Sequence, residues 1–436
     1  MTVAFYTLGC KVNQVDSDAM RQHLITAGYV CVEPEQHPDV LVLNSCAVTA
    51  ESERKTRQKL RHFRSSNPNA IVVLTGCAVQ IDQQASLHYS EADILLGHLD
   101  CADLASHIDK FIVLHGKAFH ASSHYYGEVF GFASACETFS RTRANRTRAS
   151  IKIEDGCERY CSYCIIPYAR GPVRSKPLNV LREEMQSLAQ QGFQELVLVG
   201  INLCAYGADL GCGLCDAVAL TEKFSAIKRV RLGSLEPDLL TEEMLLSLTQ
   251  VKSLCPHFHL SLQSGCDRTL KRMNRHYTSH QYFILINHIR TLFPGSAITT
   301  DLMVGFPGET DEDFRASLAF ACEIGFAKMH VFPFSARPGT AADAFPEQIS
   351  KVAKQARAKE ALLLSESLHH RYLAEQIGRE AEVLPEEPHP GGGMRGYTAH
   401  YVPVVIPEAG PEHRNKLVPV HITGVQGDRC VGALVR

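Results

Sequence analysis

No uninterrupted apolar stretch among the 436 residues is long enough to span a bilayer. The opening segment, Met1 to Cys10, has neither a basic lead nor a sustained apolar core, so it does not read as an export signal. An excess of one charge is missing too. Lys and Arg total 44 against 47 Asp and Glu, a net charge of -3. This gives no global case for a polyanionic partner, although a local basic surface stays open. With 45% hydrophobic and 21% charged residues the chain is neither wholly disordered nor collagen-like. The expectation is a cytoplasmic protein, off the membrane, with two or three domains at roughly 150 residues each.

Cysteine is plentiful. Sixteen are present, and without an export signal a structural disulfide network is disfavoured. Some serve as small buried hydrophobes. Which of the others fall where a folded chain presents ligands depends on the order of elements.

In the first third, the apolar runs Val3 to Leu8, Val40 to Leu43 and Ile71 to Leu74 read as buried strands. Helical stretches near Ser17 to Ala27 and Glu51 to Arg64 separate them, an alternation that predicts a doubly wound parallel sheet. Each strand ends on cysteine, at Gly9-Cys10, Ser45-Cys46 and Gly76-Cys77. Carboxyl ends of strands line the ligand crevice in such sheets, so these three cysteines can converge. Three buried cysteines capping apolar strands are the alternative.

The signal weakens from Cys101 to Ser150, where Arg141, Arg143, Arg146 and Arg148 mark a domain junction. Further strands are expected at Ile151 to Ile153, Glu195 to Val199, Arg229 to Leu232, His257 to Leu262, Ala297 to Val304 and Ala327 to Phe332. Helices are expected at Asn179 to Gln191, Pro237 to Leu248, Ser279 to Leu292 and Asp311 to Ile324. Six such units make a partial barrel or strongly curved sheet, not a complete eight-stranded one. Its strand ends carry Cys157, Asn202, Ser234, Gln263, Asp301 and Phe334. A charged helix, Glu347 to Gln376, leads to short strands at Glu380 to Leu384, Tyr401 to Ile406, Leu417 to Ile422 and Cys430 to Val435. Pro385, Pro388 and three consecutive glycines break these up, so the end is a small β module. The expected domains are 1–125, 140–370 and 371–436.

Cys157, Cys161 and Cys164 form the strongest local signal, within GCERYCSYC. Three thiolates at this spacing can wrap one corner of an iron–sulfur cluster, and thiolates suit zinc as well. A structural zinc ion wants a fourth ligand, and no nearby cysteine or histidine offers one at usual spacing. A cluster on three cysteines keeps one iron open. Zinc and unliganded cysteines stand as alternatives.

This motif resembles the CxxxCxxC signature of radical S-adenosylmethionine enzymes, and the resemblance extends along nearly the whole chain to the methylthiotransferase family. It is greatest for the MtaB-type subgroup, which modifies threonylcarbamoyladenosine in tRNA. The matching stretches are TLGCKVNQV from Thr7, NSCAV from Asn44, TGCA from Thr75 and DGCERYCSYCIIPYARG from Asp155. HLSLQSGCDRTLKRMNRHY from His259, TDLMVGFPGET from Thr300 and HVFPFSARPGT from His330 complete them. The terminal β module resembles the RNA-binding TRAM module.

The resemblance implies a [4Fe-4S] cluster at Cys157, Cys161 and Cys164, whose open iron chelates S-adenosylmethionine. It implies an auxiliary [4Fe-4S] cluster at Cys10, Cys46 and Cys77. The implied reaction is methylthio transfer to C2 of an adenine at tRNA position 37. One S-adenosylmethionine methylates a sulfur on the auxiliary cluster, and a second supplies a 5'-deoxyadenosyl radical. The implied partners are the tRNA anticodon stem-loop and a reducing electron donor. A non-acidic C2 hydrogen makes radical chemistry necessary, and such chemistry belongs to a cofactor.

Cofactor-wall candidates are Gly200, where backbone can approach closely, and Asn202, which can fix a polar group. Ser261 and Gln263 share a strand face if the strand runs that far. Asp301 and the Arg337 to Thr340 turn follow as further candidates. Cys212 and Cys215 read as a surface loop, and Cys31, Cys101, Cys136, Cys204, Cys255, Cys266, Cys322 and Cys430 as packing residues. For RNA, Tyr397, Tyr401 and Arg414 can stack on bases. Lys351, Lys354, Arg357, Lys416 and Arg429 can contact phosphate, each with a solvated-surface or core alternative. Competing functions are methylthiolation of isopentenyladenosine in tRNA, modification of a ribosomal protein, and a non-catalytic iron–sulfur RNA-binding redox sensor.

Overall fold

The computed structural model describes residues 1–82, 84–97, 103–115, 125–126 and 146–435. Cys101, Cys136, Arg141 and Arg143 lie outside the described residues. The chain divides into two compact units. The first comprises Met1–Thr142, Lys152–Lys176 and Ser335–Asp343; the second comprises Arg143–Ile151, Pro177–Phe334 and Ala344–Arg436.

In the first unit β1 (Thr2–Thr7), β2 (Val30–Cys31), β3 (Val40–Ser45), β4 (Ile71–Gly76), β5 (Ile94–Leu96) and β6 (Tyr125–Tyr126) form a parallel sheet in the order β2-β1-β3-β4-β5-β6. Successive residues of β3 feed opposite faces, as a period of two demands. Val40 and Val42 pack with Met20, Leu24, Ile108 and Phe111 on one side. Leu41 and Leu43 meet Leu60 and Phe63 on the other. The expected doubly wound sheet is present. Helix Lys11–Thr26 starts six residues before the expected Ser17, and it buries Asn13, Asp16 and Ser17 in its first two turns. Those polar residues hid the helical pattern because they face a polar network, not solvent.

Strand β7 (Arg148–Lys152) is followed by an antiparallel pair, β8 (Glu154–Asp155) with β9 (Arg174–Ser175), which closes the cysteine-bearing loop within the first unit. In the second unit β7 joins β10 (Glu195–Val199) and β11 (Arg229–Leu232) in the order β11-β10-β7. A second arc has the order β12-β13-β14-β15, from β12 (Ser234–Leu235), β13 (His257–Leu260), β14 (Ala297–Val304) and β15 (Lys328–Pro333). Two arcs of parallel strands make the partial barrel.

Helices Leu178–Gln190, Ser279–Leu292 and Asp311–Ile324 fall within a residue of expectation. Capping boxes Thr278/Gln281 and Thr310/Asp313 fix the starts of the last two. The expected helix Pro237 to Leu248 is broken: a 3-10 turn Pro237–Leu239 precedes Glu242–Leu248, because the Thr241 hydroxyl accepts the Met244 N–H and opens a new helix. Strand β13 stops at Leu260, short of the expected Leu262.

Helix Lys351–Ala374 leads to a closed barrel of β16 (Glu380–Pro388), β17 (Met394–Thr398), β18 (Pro403–Ile406), β19 (Val418–Gln426) and β20 (Arg429–Leu434). Pro385 does not break β16: the strand passes through it with a register shift before Glu387. Strand β17 was not expected.

Glu195, with no exposed surface, fastens this barrel to the strands of the second unit. It accepts from Arg231 Nε at 3.0 Å, with Arg229 at 3.6 Å and Arg148 at 4.0 Å. Arg229 and Arg231 also donate to the carbonyls of Glu382, Tyr397, Thr398 and Ala399. Tyr397 and Tyr401 stack at 4.7 Å, Tyr401 stacks on His257, and Arg148 and Arg231 lie over the pair. Both tyrosines, expected as base platforms, are thus occupied in docking the module. Arg357 is likewise taken up by Glu309 and Asp311, each at 2.7 Å, and Lys354 lies over Phe334.

Replacing Glu195 with Ala leaves buried guanidiniums without their carboxylate and is expected to cost about 3–5 kcal/mol. Denaturant unfolding of the full chain measures it; the carbonyl acceptors that remain favour the lower end.

Candidate functional site

Three strand ends build the first cysteine triad. Cys10 follows β1 and begins helix Lys11–Thr26 as its N-cap residue; Cys46 follows β3; Cys77 opens helix Cys77–Ile81 directly after β4. Cys10 is exposed, whereas Cys46 and Cys77 are buried. Gly9 lies so close to Cys46 that a Cβ there would come within 3.0 Å of its Sγ. Gly76 takes φ +99°, and a side chain on it would strike Asn44 Oδ1 at 2.4 Å. Only glycine turns the chain there so tightly. Asn13 Nδ2 donates to Leu8 O and Ser45 O, both at 2.9 Å, tying the loops of Cys10 and Cys46 together.

Burial pushes the Cys77 thiol up to about 12, with Cys46 and Cys10 adding to the rise and Arg170 opposing it. Burial raises Cys46 as well, with Cys10 adding. The surroundings of each buried thiol thus include the other cysteines of the set.

The second triad occupies the loop between β8 and β9. The Cys157 N–H donates to Gly171 O and the Cys164 N–H to Cys161 O, each at 2.9 Å. Helix Ile166–Arg170 then packs Ile165 and Ala169 on Cys77 and Ala47. Both triads thus belong to one compact unit.

Arg170 joins them. Its side chain is 1% exposed. Nη1 donates to both oxygens of Asp155 at 2.9 and 2.8 Å; Nη2 donates to Asn13 Oδ1 at 2.7 Å and Asp16 Oδ2 at 3.1 Å. Lys152 bridges the same two carboxylates. Burial works against the charge of Arg170, and Asp155, Cys77, Asp16 and Cys10 hold its pKa well above the usual value instead. Sequence reasoning missed this network. Its one signal was an arginine inside the apolar run IIPYARG.

Among the described residues no three or more Cys, His, Asp or Glu side chains converge tightly enough to hold a single metal ion. A polynuclear cluster takes each thiolate on a different iron and spans a wider gap. The donor set fits such a group: three soft sulfurs, two of them buried, beside a fixed cation.

In the second unit, Ser261 and Gln263 lie beyond the end of β13. Gln263 has φ +65°, unusual for a non-glycine, held by its N–H to Asp301 O and its carbonyl from Met303 N, both 2.9 Å. Its buried Oε1 has no hydrogen-bond partner. Asp301 lies within β14, not at its end, and its Oδ2 meets His259 Nε2 at 3.2 Å. His330 lies 5.8 Å from His259, ring to ring. His257 and His259 alternate along β13 and both meet Thr299 Oγ1, at 3.1 and 3.0 Å, a pairing that the H-x-H spacing makes readable.

Asn202 is buried at the start of a 3-10 turn, Leu203–Ala205, and Gly200 is half-buried just after β10. Arg275 donates to Glu236 and to Ser261 O. Cys215 lies in helix Leu214–Ala219, so the expected surface loop covers only Cys212. Cys322 is exposed and no packing residue, whereas Cys255 and Cys430 are buried as expected. Arg337, 3% exposed, is engaged by Glu53 at 2.9 Å and is not presented to phosphate.

Two family models match the chain: "Uncharacterized protein family UPF0004" over residues 2–97 and "Radical SAM superfamily" over 151–321. The threonylcarbamoyladenosine tRNA methylthiotransferase MtaB of Thermotoga maritima is 37% identical over 92% of this chain and 90% of its own length. That of Bacillus subtilis is 34% identical over 93% and 90%. The chain belongs to the radical S-adenosylmethionine methylthiotransferases. A tRNA-2-methylthio-N(6)-dimethylallyladenosine synthase of Pelotomaculum thermopropionicum is 33% identical over 98% of this chain and 96% of its own. Among solved structures, the radical S-adenosylmethionine methyltransferase TsrM of Kitasatospora setae shares the fold. Its TM-score is 0.57 at 16% identity, over 78% of this chain and 73% of that one. No helix among the described residues is long and apolar enough to cross a membrane.

Iron and sulfide uptake by this methylthiotransferase in its metal-free form is expected to rise with pH above 7. Cys46 and Cys77 must lose protons to bind, and each pH unit gives up to about tenfold more thiolate. The metal-free fold should weaken over about pH 9 to 12, because the raised Cys77 pKa contributes stability that is lost as the thiol ionises. Iron bound per chain and unfolding midpoints against pH check the two trends.

Proposed function

We propose that this methylthiotransferase converts N6-threonylcarbamoyladenosine at position 37 of tRNA to its 2-methylthio derivative, using two S-adenosylmethionine molecules. The observation that carries this reading is the pair of cysteine triads in one compact unit, bridged by a single buried arginine. The MtaB relatives of Thermotoga maritima and Bacillus subtilis favour the threonylcarbamoyl substrate over the dimethylallyl one.

Cys157, Cys161 and Cys164 hold one [4Fe-4S] cluster, and Cys10, Cys46 and Cys77 hold the other. When bound, these groups supply radical cleavage of S-adenosylmethionine at one site and a sulfur for methylation and transfer at the other. Exposed Cys10 marks the open side of its triad; buried Cys46 and Cys77 keep solvent from the rest. Gly200, Asn202, Ser261, Gln263 and Asp301 form the S-adenosylmethionine wall. There Gln263 Oε1 offers an acceptor to a hydroxyl or ammonium group, and His259 orients the Asp301 carboxylate. The partners are the tRNA anticodon stem-loop and a low-potential electron donor, in the cytoplasm.

Anaerobically reconstituted wild type should hold about eight irons, and Cys10→Ala or Cys157→Ala about four. Both variants should lose the methylthio product, and only Cys157→Ala should lose 5'-deoxyadenosine formation. Loss of 2-methylthio from isopentenyladenosine alone, in tRNA of a strain lacking the gene, would overturn the substrate.

A further inference from the structure

Asp16 and Asp155 are met by Arg170 and Lys152, with Arg174 3.9 Å from Asp155. These ion pairs form before any thiolate does at Cys10, Cys46 or Cys77. The guanidinium nevertheless has capacity left. Its Nε is buried and has no hydrogen-bond partner, although both Nη groups are fully engaged. A buried donor left idle costs about 1–3 kcal/mol, so an acceptor is expected to complete it.

The connections of Arg170 reach three cysteines through short paths. Asn13, which takes Nη2, also accepts from Cys10 Sγ at 3.8 Å. Cys77 shares a buried cluster with Ala169, the residue before Arg170. Asp155, which takes Nη1, accepts the N–H of Gly156, next to Cys157. One planar fork thereby sets the Cys10 and Cys77 ends against the start of the other cysteine loop. A lysine could supply the charge but not five donors in fixed directions.

Building on the two-cluster reading, we propose that Arg170 is a positioning residue for the group held by Cys10, Cys46 and Cys77. It fixes that triad against the Cys157 loop and donates its remaining N–H to a sulfur there, which raises the group's reduction potential. Hydrogen bonds to cluster sulfurs and added positive charge both favour the reduced, more negative state.

The test compares wild type, Arg170→Lys and Arg170→Gln, each reconstituted anaerobically. The midpoint potentials of both clusters are followed by electron paramagnetic resonance. In Arg170→Gln the reduced-to-oxidised ratio of the auxiliary cluster should fall about tenfold at fixed potential, about 59 mV for one electron. The cluster at Cys157, Cys161 and Cys164 should move far less. Arg170→Lys should show an intermediate shift, since it keeps charge and loses the fork. If Arg170→Gln leaves Asp16 and Asp155 unmatched and fails to fold, Arg170→Lys decides alone. Unchanged auxiliary potential in a fully loaded variant overturns the assignment, as does an equal shift of both clusters. A wild type that binds only one cluster would instead sink the underlying functional reading.

Discussion

A guanidinium shut away from water persists only if carboxylates meet its charge, because the desolvation cost is several kcal/mol per ion. Arg170 meets that condition with Asp155 on one edge and Asp16 and Asn13 on the other. The arrangement explains features that look unrelated in sequence. Helix Lys11–Thr26 buries polar residues in its first turns because Asn13 and Asp16 serve the arginine. Helix Ile166–Arg170 is five residues long, too short to be stable alone, and is held by this ion pairing and by Ile165 and Ala169 against Cys77. Strand β8 places Asp155 two residues ahead of the first cysteine of its loop.

The second unit solves a similar problem for a different end. Glu195 is fully buried among three arginines, two of which, Arg229 and Arg231, also bind carbonyls of the terminal barrel, while Arg148 pairs with Glu386. Spare guanidinium donors thus reach backbone acceptors that a lysine could not satisfy together. Tyr397 and Tyr401 complete the joint by stacking. In this TRAM-like barrel the stacked tyrosines are engaged within the joint and are not open platforms for a base. Lys416, by contrast, is exposed to solvent.

What the sequence disclosed follows from the range of the forces involved. Strands β1, β3 and β4 are apolar runs ending on cysteine, and their parallel order follows from the helices between them, so the first triad was legible from local pattern. Helices Ser279–Leu292 and Asp311–Ile324 carry both periodicity and capping boxes. By contrast, Arg170 pairs with residues more than 150 positions away, and no local period records such a contact. Pro385 argued against a continuous strand, yet the register shift beside it absorbs the missing donor. The break before Thr241 was readable from Thr-Glu-Glu, an N-cap with an acidic first turn, but the longer apolar pattern hid it.

Gln263 carries the last step. A left-handed glutamine costs about 1–3 kcal/mol and persists only when its surroundings over-determine it. Here the backbone is clamped from both sides by β14, through Asp301 O and Met303 N. The clamp ends the regular pairing of β13 and brings the chain beside Leu302 as an isolated bridge. A strand that simply continued would place Ser261 and Gln263 on one face by alternation. The bend removes that constraint, so each residue is set independently: Ser261 through its carbonyl to Arg275 and Tyr277, Gln263 by the β14 clamp. Backbone strain and an amide oxygen buried without a donor at the same residue add two costs that folding alone does not repay. Their coincidence at Gln263 is the structural feature behind the proposed ligand contact.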